Sequence, residues 1–177
     1  MPHGNKPWIM TYTGRRVNPL DVLPSDIDIS DIAQSLALTN RFGGHTAFPI
    51  SVAQHSVAVS LLVPAEHAMQ ALLHDASEAY LGDVTKWLKE TSVYDVYRAA
   101  EEQAQRSVYV TFGCESETHQ LVKDADWEMV VFECGVGYGD KNWLGNSTIE
   151  DPAWAPWPWP RARREFLDRF IVLGGRL

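Results

Sequence analysis

Residues 71–84, ALLHDASEAYLGDV, combine the apolar pattern of a buried helix with an unusual number of titratable side chains. The apolar positions recur at helical spacing, which predicts one helix over about 65–81. His74 and Glu78 are four residues apart and Asp75 and Glu78 are three apart, so we expect all three to share one flank of this helix. Because imidazole and carboxylate groups suit divalent ions such as Zn²⁺, Mn²⁺ or Co²⁺, the stretch predicts two ligands of a metal site.

The whole chain is predicted to be all-α, an irregular bundle of about five or six helices with a minor N-terminal β-hairpin. The predicted helices cover 32–38 with Ser30 as N-cap, 51–62 with a capping box of Ser51 and Gln54, 65–81 ended by Gly82, about 92–112, about 116–134 and about 161–173. On the helix over 92–112, the stripe expected to be buried consists of Val96, Ala100, Ala104 and Val108. Strands at 9–12 and 15–17 flank the turn signal Thr13-Gly14.

At 177 residues the chain fits a single domain, with a core over about 25–135 and an appendage over 150–177. The appendage contains the run DPAWAPWPWP, in which the prolines argue against a helix and indicate an extended strap. We expect the rings of Trp154, Trp157 and Trp159 to pack this strap against the helical body. An interface between copies of the chain and stacking on a ligand are the alternatives.

Composition limits the classes of partner. The formal net charge of −8 argues against a protein that coats nucleic acid, because such binding depends on clustered Lys and Arg. The N-terminal MPHGNKPWIMTYTG lacks the basic and apolar regions of a signal peptide, and no later stretch reaches roughly 18 apolar residues, so we expect neither secretion nor a membrane span. Cys114 and Cys134 lack metal-type spacing and are expected to be reduced thiols of a cytoplasmic protein.

Two ligands from one helix leave a metal site incomplete, so further ligands must come from elsewhere in the chain. His55 lies on the preceding predicted helix and can face His74 across a helical hairpin. Asp126, in the segment VKDADWEMVVFE of a later helix, is the candidate fourth ligand, with Asp124 as the next candidate. A single buried histidine is more often a hydrogen-bonded core residue than a ligand, so the prediction depends on the whole set.

The ordered set His55, His74-Asp75 and Asp126 resembles the H…HD…D signature of the HD-domain metal-dependent phosphohydrolases, an all-α superfamily. The local contexts VAQHSV, LLHDASEAYLGD and VKDADWE are similar to its 5′-deoxynucleotidase and phage dATP triphosphohydrolase branches, over about residues 41–133. The resemblance implies an HD-domain helical bundle in which these four residues bind a divalent ion, Zn, Co or Mn. It also allows a second metal ion such as Mg.

The resemblance also implies roles for three residues around the metal. Glu78 would orient or deprotonate the attacking water. Asp83 would meet the sugar hydroxyl of a substrate or a second metal ion. Lys89, in the continuation DVTKWLK, matches a basic residue near the substrate phosphate.

The glycine-rich segment RFGGH at 41–45 precedes the first ligand helix and supplies the remaining candidate contacts. Arg41 and His45 are candidate contacts for a phosphate group, and a simple glycine turn is the alternative reading. Arg41-Phe42 resembles the family's Arg-Trp pair with one residue of offset, which implies a nucleotide contact for both.

The implied activity is hydrolysis of a phosphate ester of a deoxynucleotide by a metal-activated water. The short chain and the RFGGH segment favour a dATP-like triphosphohydrolase that releases a deoxynucleoside and triphosphate. A 5′-deoxynucleotidase acting on deoxynucleoside monophosphates is the alternative enzyme, and a non-catalytic nucleotide sensor is the alternative of another class. We expect a homo-oligomer that acts on a small-molecule nucleotide, in the cytoplasm of its own cell or, if phage-encoded, of the host.

Overall fold

Helices make up most of the computed structural model, which describes residues 7–139, 147–150 and 154–177. The helices are α1 (Ile29–Leu38), α2 (Val52–Leu62), α3 (Ala68–Leu72), α4 (Glu78–Leu81), α5 (Lys86–Lys89), α6 (Asp95–Thr111), α7 (Gln120–Tyr138) and α8 (Trp159–Val172). Short 3₁₀ turns lie at Pro24–Asp26, Phe42–Gly44, Ala65–His67 and Ser92–Tyr94. The strands β1 (Ile9–Met10) and β2 (Arg16–Val17) pair antiparallel, so the predicted helical class with a small N-terminal hairpin is confirmed.

The core lies where α1, α2 and α8 pack together. Ile32 and Leu36 of α1 and Phe166 and Phe170 of α8 are buried in one apolar cluster, which also takes in Val17 of the hairpin. A second cluster joins α2 and α7 through Val59, Val122, Met129 and Phe132. This arrangement fixes α2 and α7 side by side, and the polar residues on their facing sides therefore meet.

The N-cap of α1 differs from its prediction, whereas the N-cap of α2 agrees with it. Asp28, not Ser30, is the N-cap of α1, and its Oδ1 accepts a hydrogen bond from the Ser30 amide at 2.9 Å. Ser51 caps α2 as predicted, since its Oγ accepts from the Gln54 amide at 3.2 Å. The Gln54 side chain does not complete a capping box, because it bonds to the backbone of residues 155–157 instead.

The later helices are also shifted from their predicted bounds. A 3₁₀ turn precedes α6, and Val96 is 69% exposed, so its place in the buried stripe was wrong, whereas Ala100, Ala104 and Val108 are buried. Helix α7 begins at Gln120, with His119 as its N-cap, and continues to Tyr138. Near its C-terminal end this helix carries a further acidic residue, Glu133, which is fully buried.

The prediction of one continuous helix over 65–81 was wrong. Helix α3 ends at Leu72 and α4 begins at Glu78, and residues 73–77 form tight turns with bonds such as Ala76 N to Leu73 O and Tyr80 N to Ser77 O. His74 and Asp75 therefore lie in a break between two short helices rather than on the flank of one. Gly82 does end α4, with a φ of +79° that favours glycine.

Part of the Trp- and Pro-rich strap packs on the helical body as predicted. The Trp154 ring lies 5.8 Å from that of Phe132 and 5.7 Å from that of Phe48, and Trp157 is half-buried against the main core. Trp159 differs, because it is the first residue of α8 and is 48% exposed. Residues 151–153 of the predicted strap lie outside the described residues.

Both cysteines, Cys114 and Cys134, are free thiols. Among the described residues, no helix has the length and apolar character that a membrane crossing requires. The single-domain boundaries and the homo-oligomer remain predictions.

Candidate metal centre

Three separate parts of the fold bring the predicted ligands together. Helix α2 supplies His55, the break between α3 and α4 supplies His74 and Asp75, and α7 supplies Asp126. One ligand atom each from His55, His74 and Asp75 lie within 4.8 Å of one another. Asp126 joins this group, since its Oδ1 lies 3.0 Å from His55 Nε2 and 3.6 Å from His74 Nε2. The predicted ligand set is therefore assembled in space.

The fully buried ring of His55 has a carboxylate at each nitrogen, and both carboxylates come from α7. Nδ1 lies 3.1 Å from Oε2 of Glu133, and Nε2 lies 3.0 Å from Oδ1 of Asp126. In a neutral imidazole only one nitrogen carries a proton, and an ionised carboxylate can only accept. With the proton on Nδ1, toward the more buried Glu133, the Nε2 lone pair faces Asp126.

His74 has its orientation fixed by the backbone. Its Nδ1 lies 2.8 Å from the carbonyl oxygen of Ala71, and because a carbonyl only accepts, Nδ1 is the nitrogen that donates. Nε2 is buried and has no hydrogen-bond partner among the described residues. It lies 3.3 Å from Asp75 Oδ2, so its lone pair also faces a carboxylate oxygen.

The cluster fits a cation because its facing atoms carry lone pairs. Two imidazole nitrogens and two carboxylate oxygens repel one another unless protons or a positive ion lie between them. Burial lowers the pKa of His74, but Asp75 and Asp126 raise it more, and the net pKa lies well above its ordinary value. A divalent ion satisfies the same lone pairs as these protons, and nitrogen and oxygen donors suit Zn²⁺, Mn²⁺ and Co²⁺.

The pKa values of the carboxyl groups of Asp75 and Asp126 are shifted in the opposite direction. Burial raises the pKa of Asp126, but its close contacts with the imidazoles of His55 and His74 lower it further, so the net pKa lies below its usual range. For Asp75 the neighbouring His74 outweighs burial in the same way, with help from Arg41, and its pKa is also lowered. Both carboxylates are thus ionised, the form that binds metal.

Arg41 links the cluster to a carboxylate that the sequence reasoning missed. Its Nε donates to Glu133 Oε2 at 2.9 Å and its Nη1 donates to Asp75 Oδ2 at 3.2 Å. Arg41 is only 8% exposed and Glu133 is fully buried. Two signals could have revealed Glu133: it is a lone acid in the apolar run VVFEC, and it lies seven residues after Asp126, on the same face of α7.

Glu78 lies beside the cluster with one oxygen, Oε2, that is buried and has no hydrogen-bond partner among the described residues. Its other oxygen, Oε1, lies 3.9 Å from Lys89 Nζ. Burial raises the pKa of Glu78 well above its usual value, and the charges of Asp75 and Asp83 raise it further. A carboxylate in this state is a better proton acceptor than a solvated one.

A cavity of about 350 Å³ opens onto the cluster. Its lining includes seven of the residues predicted from the sequence, namely Arg41, Phe42, Asp75, Glu78, Asp83, Lys89 and Asp126. The sequence reasoning missed the aromatic walls Trp87, Trp127 and Tyr138 and the cation Lys86. Lys86 Nζ lies 5.4 Å from the centre of the Trp127 ring, and the Phe42 and Tyr138 rings meet edge to face at 5.9 Å.

Two predicted contacts are not at this cavity. His45 is exposed and does not line it, so the RFGGH segment contributes Arg41 and Phe42 but not His45. The reserve ligand Asp124 is exposed and accepts a hydrogen bond from Gln120 Nε2 at 2.8 Å, on the outer side of α7. Lys89 lines the cavity, but its ammonium group already pairs with Glu101 at 2.5 Å.

A second cavity, of about 700 Å³, lies away from the cluster near the ends of α6 and α8. Its lining includes Met69, Phe112 and Phe170 and none of the predicted site residues. The chemistry-bearing groups therefore belong to the smaller cavity.

Fold and site together define an α-helical protein with a histidine and aspartate cluster that could hold a metal ion. The chain is 38% identical over 126 residues to the uncharacterized protein YfdR of Escherichia coli K12, an alignment that covers 71% of this chain and 70% of that protein. This chain therefore belongs to the same family as YfdR. An uncharacterized protein of Rhodobacter capsulatus is 35% identical over 115 residues, which are 60% of this chain and 58% of that protein. No family model matches the chain.

Proposed function

We propose that this protein is a metal-dependent phosphohydrolase of the HD type that acts on deoxynucleotides. The observation that carries the proposal is the convergence of the lone pairs of His55 and His74 with Asp75 and Asp126 beside a cavity. These four residues would hold the metal. A bound divalent ion supplies Lewis-acid activation of water and of a phosphoryl oxygen.

Glu78 is the proposed proton acceptor. It lines the same cavity as the candidate ligands, and its buried Oε2 has no hydrogen-bond partner among the described residues. Burial and the charges of Asp75 and Asp83 raise its pKa, so it takes a proton from water more readily than an exposed glutamate. In the hydrolysis the water oxygen bonds to phosphorus, the ester P–O bond breaks, and the alcohol leaves with a proton.

Arg41 is the proposed phosphate-binding residue. Burial lowers its pKa, but the charges of Glu133 and Asp75 raise it more, so the guanidinium stays charged where it lines the cavity. Lys89 and Lys86 add positive charge farther along the same lining, and Asp83 supplies an acceptor for a sugar hydroxyl or a second metal ion such as Mg²⁺. These cations offset the negative charge of the chain where an anionic substrate would approach.

Two classes of substrate, deoxynucleoside triphosphates and deoxynucleoside monophosphates, are candidates for this site. The additional cations Lys86 and Lys89 favour a triphosphate, as in a dATP-like triphosphohydrolase that releases triphosphate. The cavity volume of about 350 Å³ is near the lower end of the range for ligand pockets, which favours a monophosphate and a 5′-deoxynucleotidase.

A substrate screen separates these activities. The purified protein is incubated with Mn²⁺ or Co²⁺ and a panel of deoxynucleoside mono- and triphosphates, and the products are separated by chromatography. Deoxynucleoside plus triphosphate supports the first activity, and deoxynucleoside plus orthophosphate from monophosphates supports the second. Turnover of neither, with metal bound, would reject the enzyme and leave a nucleotide sensor.

Two variants guard this screen against a contaminating phosphatase. Glu78→Gln should remove the activity from the same preparation. Glu102→Gln is the matched control, because Glu102 is an exposed glutamate on α6 that pairs only weakly, at 3.7 Å, with Arg106. It should keep wild-type turnover.

A further inference from the structure

We propose that Glu133 is a positioning residue that sets the tautomer of His55 and thereby makes its Nε2 available to a metal ion. This inference deepens the proposed function and rests on its metal centre. Glu133 does not line the cavity, and its side chain is fully buried, so it acts only through its neighbours.

Glu133 approaches the nitrogen of His55 that faces away from the metal cluster. The distances from His55 Nδ1 are 3.1 Å to Oε2 and 3.2 Å to Oε1. A proton on Nδ1 satisfies this contact, and the lone pair is then left on Nε2, toward Asp126 and Asp75. The opposite tautomer would place a bare nitrogen against a buried carboxylate and a proton in the ligand position.

Arg41 makes the carboxylate at this position hard to replace. Its Nε donates to the same oxygen, Oε2 of Glu133, at 2.9 Å. Glu133 therefore accepts from two donors, Arg41 Nε and His55 Nδ1. Both oxygens of Glu133 lie within 3.2 Å of His55 Nδ1, whereas a glutamine at 133 has one acceptor oxygen and one donor amide, so one of these two contacts would bring a donor amide to Nδ1.

Either orientation of that glutamine disturbs the site. With its oxygen toward His55, its amide group faces the Nε–H of Arg41, and two donors oppose each other. With its oxygen in the place of Oε2, it still accepts from Arg41 Nε, but its amide takes the place of Oε1, 3.2 Å from His55 Nδ1, and a donor there favours the tautomer with the proton on Nε2. In the second case the ligand lone pair is lost.

The role differs from that of a buried ion pair that only stabilises the fold. Residues that bond to the outer nitrogen of a ligating histidine commonly change metal affinity by about 10- to 100-fold. A purely structural Glu133 would change the unfolding transition and leave metal affinity of the folded protein intact. Metal affinity and the protonation pattern of the His55 ring are therefore the deciding quantities.

The test uses Zn²⁺ as the probe. Calorimetry of the wild type and of Glu133→Gln should show an affinity for Zn²⁺ that is about 10- to 100-fold weaker in the variant. Asp31→Asn is the matched control. Asp31 is a buried carboxylate on α1 that accepts from Thr13 N at 2.6 Å and from its Oγ1 at 2.9 Å, so this variant loses stability at a distance and should bind Zn²⁺ like the wild type.

A second measurement needs no variant and covers the case in which Glu133→Gln does not fold. In Zn²⁺-loaded wild-type protein labelled with ¹⁵N-histidine, NMR should show His55 with a protonated Nδ1 and a metal-bound Nε2. Metal on Nδ1 with a proton on Nε2 would overturn the inference. So would unchanged Zn²⁺ affinity in folded Glu133→Gln.

These outcomes separate the inference from the proposed function. A wild-type protein that binds Zn²⁺ through His55 Nε2 but hydrolyses no nucleotide rejects the enzyme and supports the role of Glu133. A wild-type protein that binds no Zn²⁺ rejects both.

Discussion

The buried Nε2 of His74, which has no hydrogen-bond partner among the described residues, is the atom on which the proposed metal centre depends most directly. We expect His74→Ala to lower the affinity for Co²⁺ by about 100-fold or more, since even groups that only orient ligands change affinity by 10- to 100-fold. The metal-free protein should stay folded at somewhat lower stability, because the variant loses the hydrogen bond from His74 Nδ1 to the carbonyl oxygen of Ala71 but no bond from Nε2 to the described residues. Calorimetry with Co²⁺ and circular dichroism measure the two properties.

His67→Ala is the control for this prediction. His67 is also half-buried, but its ring stacks on that of His119 at 3.9 Å and contributes nothing to the cluster. The assignment of His74 would be contradicted if His74→Ala and His67→Ala lost Co²⁺ binding equally. It would also be contradicted if both variants bound Co²⁺ like the wild type.

Glu78 has a different role from the ligands, and its replacement should separate binding from chemistry. We expect Glu78→Gln to lower kcat by about 100- to 10,000-fold, the usual contribution of a general base. Metal affinity should change little, because Glu78 does not belong to the group of His55, His74 and Asp75 whose ligand atoms lie close together. Steady-state kinetics with the substrate from the screen, together with Co²⁺ calorimetry, test both parts.

Retention of full activity in Glu78→Gln would remove Glu78 from the mechanism. Loss of metal together with activity would make it a ligand instead of a base.

At the scale of elements, the break between α3 and α4 is stabilised by a residue of α6. Gln105 Nε2 donates to the carbonyl oxygen of Leu73 at 2.7 Å, and its Oε1 accepts from the amide of Ser77 at 3.1 Å. Gln105 thus satisfies both ends of the turn that carries His74 and Asp75. Without these two hydrogen bonds, the turns at residues 73–77 are less stable relative to a continuous helix.

We therefore expect Gln105→Ala to destabilise the protein and to weaken the metal site. Loss of two hydrogen bonds costs about 1–3 kcal/mol in the free energy of unfolding, which urea denaturation measures. Because His74 and Asp75 also lose their fixed positions, Co²⁺ affinity should fall with it. Gln103→Ala on the same helix removes only an exposed bond to Asp21 and should change neither quantity. An unchanged Co²⁺ affinity in Gln105→Ala would show that the turn holds its shape without α6.

The same break marks the limit of what the sequence could predict. Apolar spacing correctly indicated helices at α2, α6, α7 and α8, and the order His55, His74, Asp75, Asp126 named residues that do come together. The continuous helix that was predicted to place His74, Asp75 and Glu78 on one shared flank was wrong. Periodicity within 65–81 carries no information about Gln105, which lies far along the chain and competes for the backbone of the turn.

Residues that act through tertiary contacts were missed for the same reason. Glu133 and the cavity walls Trp87 and Trp127 gain their positions only when α7 packs beside α2 and α5. His45, predicted as a phosphate contact together with Arg41, does not line the cavity, because closeness in the sequence says nothing about direction in space. Its side chain is exposed, while that of Arg41 is buried beside Glu133.

For the whole molecule, the proposed ligands come from parts of the chain that are distant in sequence. His55 lies 71 residues from Asp126, and the two contact each other only in the folded state. The unfolded chain therefore offers no comparable site, and a metal ion that binds the cluster must stabilise the folded protein. The five carboxylates at the site, Asp75, Glu78, Asp83, Asp126 and Glu133, outnumber the three cations Arg41, Lys86 and Lys89, so a divalent ion also relieves repulsion.

Thermal unfolding tests this coupling in the intact protein. At a Co²⁺ concentration 100 times Kd, the folded state gains about 2.7 kcal/mol, which raises Tm by about 5–10 °C for a chain of this length. A chelator should reverse the rise, and His55→Ala should abolish it because the ligand from α2 is missing. Asp31→Asn should begin from a lower Tm and show the full rise, since its lost bonds to Thr13 lie at the hairpin. A rise of equal size in His55→Ala would mean that Co²⁺ binds somewhere else on the molecule, and the cluster would then have no part in metal binding.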